Sequence, residues 1–274
     1  MDLRLSIPAG ELTRAEQKIL DYINTNTEAF LFSSIGQLAQ CLGLSDATVS
    51  RFARHVGCRD FKALKALVME QASGPAVKMA GTLHQEKSFS PQNWLMRQQE
   101  YLEKTAQLIS TQEVEAAVDA ICSAQRGFLH GKNASAALAQ LLHFRLRRLG
   151  VQVSLLPSGG SELLEGLIQA GKTDLGVLFS FSKLSREGRI LLEQSRGFGF
   201  HTLALVGRPC LPAEERAEIS LFAYRGTEKE YHSMAAPAAL VDALVIAVTE
   251  RLGAKGTERL QALHRLKKAV FPEG

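Results

Sequence analysis

Ser33-Ser34-Ile35-Gly36-Gln37-Leu38-Ala39-Gln40-Cys41-Leu42-Gly43-Leu44-Ser45-Asp46-Ala47-Thr48-Val49-Ser50-Arg51-Phe52-Ala53-Arg54-His55-Val56-Gly57 reads as two helices joined by a tight turn. Ile35, Leu38, Ala39 and Leu42 recur at i, i+3, i+4 and i+7, and Val49, Phe52, Ala53 and Val56 repeat the pattern, so each helix carries one apolar stripe. Gly43 follows the first stripe, where a left-handed helix end favours a residue without a Cβ, and Ser45 stands where its hydroxyl can cap the second helix. That short separation is helix-turn-helix spacing.

Away from its stripe the second helix presents Asp46, Ala47, Thr48, Ser50, Arg51 and Arg54, a face that fits a DNA groove. Thr48 and Ser50 can donate hydroxyls to phosphates, and Arg51 can reach either a phosphate or the acceptor edge of guanine. Ser45, Thr48, Ser50, Arg51 and Arg54 are therefore candidate contacts to double-stranded DNA. A hairpin whose polar face meets only water is the competing reading. From Ser45 to Val68 five basic residues (Arg51, Arg54, Arg59, Lys62, Lys65) stand against Asp46 and Asp60, a local surplus that can neutralise phosphates and make binding salt-dependent. The net charge of +4 for the whole chain is too mild to reveal this.

Working outward, Thr13 and Glu16 have capping-box spacing, and Ala15, Ile19, Tyr22 and Ile23 continue an apolar face that should pack on the helical pair. Phe61, Leu64, Leu67 and Val68 predict a further helix bearing Lys62 and Lys65, which are candidate contacts to the DNA backbone. Ser73-Gly74-Pro75 and Lys87-Ser88-Phe89-Ser90-Pro91 interrupt the helical pattern, so a linker is placed over residues 73–91, between domains over 1–72 and 92–274. Helices are expected from about 91 to 109 and around Val114, Ala117, Val118 and Ile121.

From Arg126 short apolar runs alternate with helical segments. Residues 127–130, 151–156, 175–179, 202–206 and 219–223 are five candidate strands, with helices near 134–149, 161–170 and 185–196. Strands apolar on both faces predict a parallel sheet covered on both sides, so the fold class is an all-α head plus an α/β domain. Ligands of such sheets bind at the carboxyl ends of the strands, where turns lead into helix amino termini. Gly131-Lys132-Asn133-Ala134-Ser135 follows the first strand, and Ser180-Phe181-Ser182-Lys183-Leu184-Ser185-Arg186-Glu187 follows the third. Hydroxyls and backbone amides there suit a phosphate or sugar oxygen, although serines at helix starts also serve simply as caps. Ala238, Leu240, Val241, Leu244, Val245 and Val248 predict an apolar helix, and Leu260, Leu263, Leu266 and Val270 a closing one with Arg259, Arg265, Lys267 and Lys268 on a solvated face.

Residues 13–68, above all Ser34-Ile35-Gly36-Gln37-Leu38-Ala39, Ser45-Asp46-Ala47-Thr48-Val49-Ser50-Arg51-Phe52 and Gly57-Cys58-Arg59-Asp60-Phe61-Lys62-Ala63-Leu64-Lys65, resemble the amino-terminal domain of RpiR-type bacterial transcription regulators. The resemblance implies a DNA-binding head joined to a sugar isomerase (SIS) domain that senses a metabolite, and residues 113–250 are similar to that domain. In the family a Gly-x-Gly-x-Ser turn and a Ser-x-Ser-Gly-x-Thr turn cradle a phosphosugar. Gly131 and Ser135 match the first turn, but Asn133 replaces its second glycine. Ser180, Ser182 and Ser185 match the hydroxyl positions of the second, but Lys183 replaces its glycine, and Val206 stands at a common threonine position. The implied effector set is Gly131, Asn133, Ser135, Ser180, Ser182, Lys183 and Ser185, with Lys183 able to pair with phosphate or carboxylate. The expected ligand is a small anion, a sugar phosphate or sugar acid. A decayed pocket on a dimerising scaffold is the competing expectation.

Cys41, Cys58, Cys122 and Cys210 form no Cys-x-x-Cys pair, so neither structural zinc nor a disulfide framework is expected, and no metal or other cofactor is implied. Asp2 and Pro8 do not suit a signal peptide, and the most hydrophobic segment, 235–248, carries Pro237 and Asp242 and is too short to span a bilayer, so a cytoplasmic protein is expected. An isomerase on the same sheet would need an acid–base pair, for which Glu162, Glu165, Glu228, Glu230 and His232 are the candidates. The DNA-binding head argues instead for a regulator with no catalytic residue. Paired half-sites imply a homodimer or homotetramer.

Overall fold

The computed structural model describes residues 3, 5, 12–72, 74–84, 89–208 and 210–271. Asp2, Pro8, Ser73, Lys87 and Ser88, used in the sequence reading, lie outside the described residues. Two compact units are present, Met1–Asn93 with Gly226–His232, and Trp94–Arg225 with Ser233–Gly274.

The first unit is helical: α1 (Arg14–Thr25), α2 (Thr27–Phe32), α3 (Ile35–Leu42), α4 (Asp46–His55), α5 (Phe61–Gln71) and α6 (Pro75–His84). Thr13 and Glu16 close the expected capping box on α1, and Ser34 with Gln37 closes a second one on α3. Gly43 ends α3 in the left-handed region at φ 65°, and the Leu44 N–H donates to the Ala39 carbonyl at 2.8 Å, so the chain reverses directly into α4. The stripes meet as read: Leu38, Ala39, Val49, Phe52, Ala53 and Val56 share one buried core with Ile19, Ile23, Leu64 and Val68. Phe30 of α2 is also fully buried there, edge-on to Phe61 with ring centroids 5.6 Å apart. Within the stretch read as a linker, α6 sends Val77 and Ala80 into the same core.

The second unit opens within α7 (Pro91–Leu108), at Trp94, and continues as α8 (Thr111–Ser123), β1 (Gly127–Gly131), α9 (Ala134–Arg148), β2 (Val153–Leu155), α10 (Glu162–Leu167), β3 (Leu175–Ser180), α11 (Arg186–Phe198), β4 (His201–Val206) and β5 (Ile219–Phe222). It closes with α12 (Ala235–Leu252) and α13 (Ala254–Val270). All strand pairs are parallel, in the order β2-β1-β3-β4-β5. One face is covered by a core that includes Ala117, Leu142, Val241 and Leu244 from α8, α9 and α12, and the other by Leu163, Leu167, Leu191 and Leu192 from α10 and α11. Strand order reverses between β1 and β3, so the chain leaves their carboxyl ends in opposite directions and opens a crevice.

Below the sheet, buried Asp174 receives a two-pronged contact from Arg126, Nη2 at 2.7 Å and Nε at 3.1 Å, and the Gly171 N–H at 2.9 Å. Burial pushes the Asp174 carboxyl up, but these donors outweigh it and hold the group below its ordinary value. Its stabilisation is therefore complete above the unfolded pKa and is lost as pH falls through the lower folded one. In Arg126→Met burial is the leading influence left, the folded pKa rises, and the penalty is lifted as acid protonates the carboxyl. Urea melts should show the variant less stable than the parent at pH 7, with the deficit shrinking towards about pH 4. An equal deficit at both pH values would remove the ion pair as the cause.

Candidate DNA-contacting face and effector cavity

Helix α4 buries Val49, Phe52 and Ala53, which leaves Ser50, Arg51 and Arg54 on the opposite side. Ser45 caps it, accepting from the Thr48 N–H at 3.2 Å, and the Ser45 and Thr48 hydroxyls lie 2.9 Å apart. Arg51 Nη2 donates to the Thr48 hydroxyl and Arg54 Nε to the Ser50 carbonyl, both at 3.4 Å, contacts long enough to be exchanged for a ligand. At its carboxyl end His55 Nδ1 lies 2.8 Å from Glu16, which ties α4 to α1. Burial raises the Glu16 carboxyl, but the Thr13 N–H and His55 more than offset it and the pKa is lowered.

Lys62, on α5, is exposed, and Arg59 beside it pairs with Asp60 at 3.1 Å. Lys65 is corrected by the structure. It is only 7 % exposed, its ammonium stands 5.2 Å from the Phe61 ring centre, and burial lowers its pKa. A side chain held along Phe61 inside the unit is not available to a DNA backbone. Ser45, Thr48, Ser50, Arg51, Arg54 and Lys62 remain accessible.

In the second unit, Asn133, Ser135, Ser180, Ser182, Lys183 and Ser185 line one cavity of about 200 Å³ at the carboxyl ends of β1 and β3. Gly131 lies beneath it: a Cβ there would stand 2.6 Å from the Ser135 carbonyl oxygen. Asn133, at the position of the second family glycine, has φ 54° and is the only non-glycine with positive φ among the described residues. Its side chain makes no cap bond to α9. Ser185 caps α11, accepting from the Gly188 N–H at 3.0 Å, and its hydroxyl is among the groups that hold the Glu187 carboxyl below its ordinary value.

Lys132, Arg225 and Met234 also line the cavity and were not read from sequence as site residues. Lys132 Nζ pairs with Glu187 at 2.9 Å, and that bond leads the influences holding the Glu187 carboxyl below its ordinary value. Arg225 is buried, stacks its guanidinium 5.2 Å from the Phe181 ring centre, and donates Nε–H to the Ser233 carbonyl at 2.9 Å. Its signal in the sequence is a basic residue just past the last strand, at the ligand-binding end of a parallel sheet. The lining thus combines hydroxyls with three cations, Lys132, Lys183 and Arg225, the first of them paired with Glu187 behind it, which suits an oxygen-rich anion. Neither Glu162 nor Glu165 lines it, and Glu228, Glu230 and His232 belong to the first unit.

A helix-turn-helix unit and a five-stranded parallel sheet of the SIS type define the class of this protein. Residues 1–74 match the profile of the helix-turn-helix domain of the rpiR family. The chain is similar to the sugar isomerase domain of an RpiR transcription factor from Sphaerobacter thermophilus, at 27% identity over 64% of this chain and 98% of that one, with a TM-score of 0.60. It also shares the fold of the NanR protein of Vibrio vulnificus, solved with ManNAc-6P, at 20% identity over 96% of each chain and a TM-score of 0.59. No helix among the described residues is long and apolar enough to cross a membrane.

Proposed function

We propose that this chain is a cytoplasmic, non-enzymatic transcription regulator that grips operator DNA through α4 and binds a small anionic sugar derivative, a sugar phosphate or sugar acid, at the ends of β1 and β3. The observation that carries the reading is the pairing of two features in one chain: an α4 whose outer face offers Ser50, Arg51 and Arg54, and a cavity whose polar lining is mainly hydroxyls and cations. The solved NanR complex supports the ligand class, because a phosphorylated amino sugar is bound there by a chain of the same fold. An isomerase needs a proton-transferring group at the substrate, and Glu162 and Glu165, the candidates in the same unit, stand outside the cavity.

The active species is a homodimer or homotetramer. Leu95 and Met96 of α7, Ile246 of α12 and Leu266 of α13 are exposed apolar side chains that a second copy would cover. Ligand binding changes operator affinity by favouring one arrangement of the paired heads. Selection of bound duplexes from random DNA, with and without sugar phosphates and sugar acids, tests the whole reading: recovery of no preferred sequence at low salt would end it. Calorimetry against the same panel tests the cavity. Ser182→Ala with Lys183→Ala should weaken any binding found at least about tenfold, since a charge-assisted and a neutral hydrogen bond are both removed.

A further inference from the structure

Three of the four crossovers in the sheet cover it with a helix, α9, α10 or α11, but the chain passes from β4 to β5 with only a 3-10 turn, Ala213–Glu215. A right-handed parallel crossover ordinarily buries the sheet face under a helix. Here the missing cover leaves a second cavity, about 410 Å³, against Val206 and Phe222 at the ends of those strands. It shares no lining residue with the effector cavity.

Its polar wall is unusual in what it leaves unused. Arg208 Nε and the Ser220 hydroxyl are both buried and both lack a hydrogen-bond partner, and both residues line this space. A buried donor without an acceptor costs stability, and both of these belong to residues that line the cavity, so a small side-chain shift on binding would give each an acceptor there. Arg208 is also held in place: its Nη2 donates to Glu215 at 3.1 Å, and the other oxygen of that carboxylate lies 3.5 Å from Arg189. One carboxylate between two guanidiniums leaves an excess of positive charge. Arg216, anchored through the Leu211 carbonyl at 3.0 Å, adds a second cation to the lining, and Glu113 is the one acidic residue among the described lining residues.

We propose that this cavity is a second ligand site that receives a small oxyanion, the phosphate or carboxylate group of a metabolite, on Arg208 Nε–H, the Ser220 hydroxyl and Arg216. Glu113 then accepts from a hydroxyl of the same molecule. The site stands whether or not the chain binds DNA. Calorimetric titration of the full chain with inorganic phosphate and with malonate separates the two oxyanion classes.

The expected result is saturable binding of at least one probe that persists in Ser182→Ala with Lys183→Ala. That binding should weaken about tenfold or more in Arg208→Gln, the loss expected for a charge-assisted hydrogen bond. Ser220→Ala, which leaves the Arg208–Glu215 pair untouched, should weaken it less but measurably, and it decides the matter if Arg208→Gln melts early. Three outcomes overturn the proposal: no saturable binding of either probe, binding unaffected by Arg208→Gln and Ser220→Ala, or binding lost in the Ser182→Ala, Lys183→Ala protein.

Discussion

Arg51→Ala combined with Arg54→Ala should lower affinity for the selected operator duplex by about a hundredfold or more, with each specific base contact worth roughly 1–3 kcal/mol. Both guanidiniums project from the face of α4 opposite Phe52 and Ala53, so their removal leaves the core of the head intact. Each is held to its own helix only by a 3.4 Å contact, so little is lost when it turns to a base edge or phosphate. Lys62→Ala acts differently. A lysine that meets only backbone phosphate weakens all sequences evenly and flattens the slope of log affinity against log salt by about one. Lys65→Ala is expected to leave that slope unchanged, because its ammonium is already spent on Phe61. Gel-shift titrations at several salt concentrations separate these behaviours. Full affinity in the double arginine variant, with an unchanged melt, would take α4 out of the groove.

The two cases differ because helix periodicity reports a face but not what tertiary packing later lays over it. Val49, Phe52, Ala53 and Val56 are buried where their spacing puts them, and Gly43 turns the chain because only its φ permits the reversal. Lys62 and Lys65 share a face by spacing, yet Lys65 is buried. The element that covers part of the head core, α6, lies in a stretch whose Gly74-Pro75 reads as a break, and proline at the first turn of a helix is compatible with either reading. Phe30 escaped for a similar reason: α2 is six residues long and too short to show a period. The parallel sheet was legible because its central strands are apolar on both faces, β1 and β3 above all. In the cavity, the serines were legible because turns after parallel strands occupy a fixed place in such a fold. Met234 was not, since it reaches the cavity only through the path of the chain after β5, and Arg225 carried no more than its place just past that strand.

Gly131→Ala should eliminate effector binding while leaving ligand-free DNA binding in place. The added Cβ would stand 2.6 Å from the Ser135 carbonyl oxygen and 2.7 Å from its carbon, atoms of backbone that cannot rotate away as a side chain does. Either β1 or the first turn of α9 must move, at a cost of roughly 1–3 kcal/mol. The moving part is the wall that carries Asn133 and Ser135, so the ligand's oxygens lose their donors at once. Asn133→Gly makes the opposite change at the same turn. It removes a side chain from a φ of 54° with ψ −128°, a region that glycine enters freely, and should raise the melting temperature, the gain being about 1 kcal/mol. If effector affinity also holds or rises in Asn133→Gly, the asparagine is a tolerated departure from the glycine turn; if affinity collapses while the melt improves, the Asn133 amide is itself a ligand contact. Calorimetry with the same sugar phosphates and sugar acids, run on both variants beside an operator gel shift, reads the two effects independently. Because the head's core contains none of these residues, a Gly131→Ala protein that also failed to bind operator would mean that the turn supports more of the chain than the cavity wall.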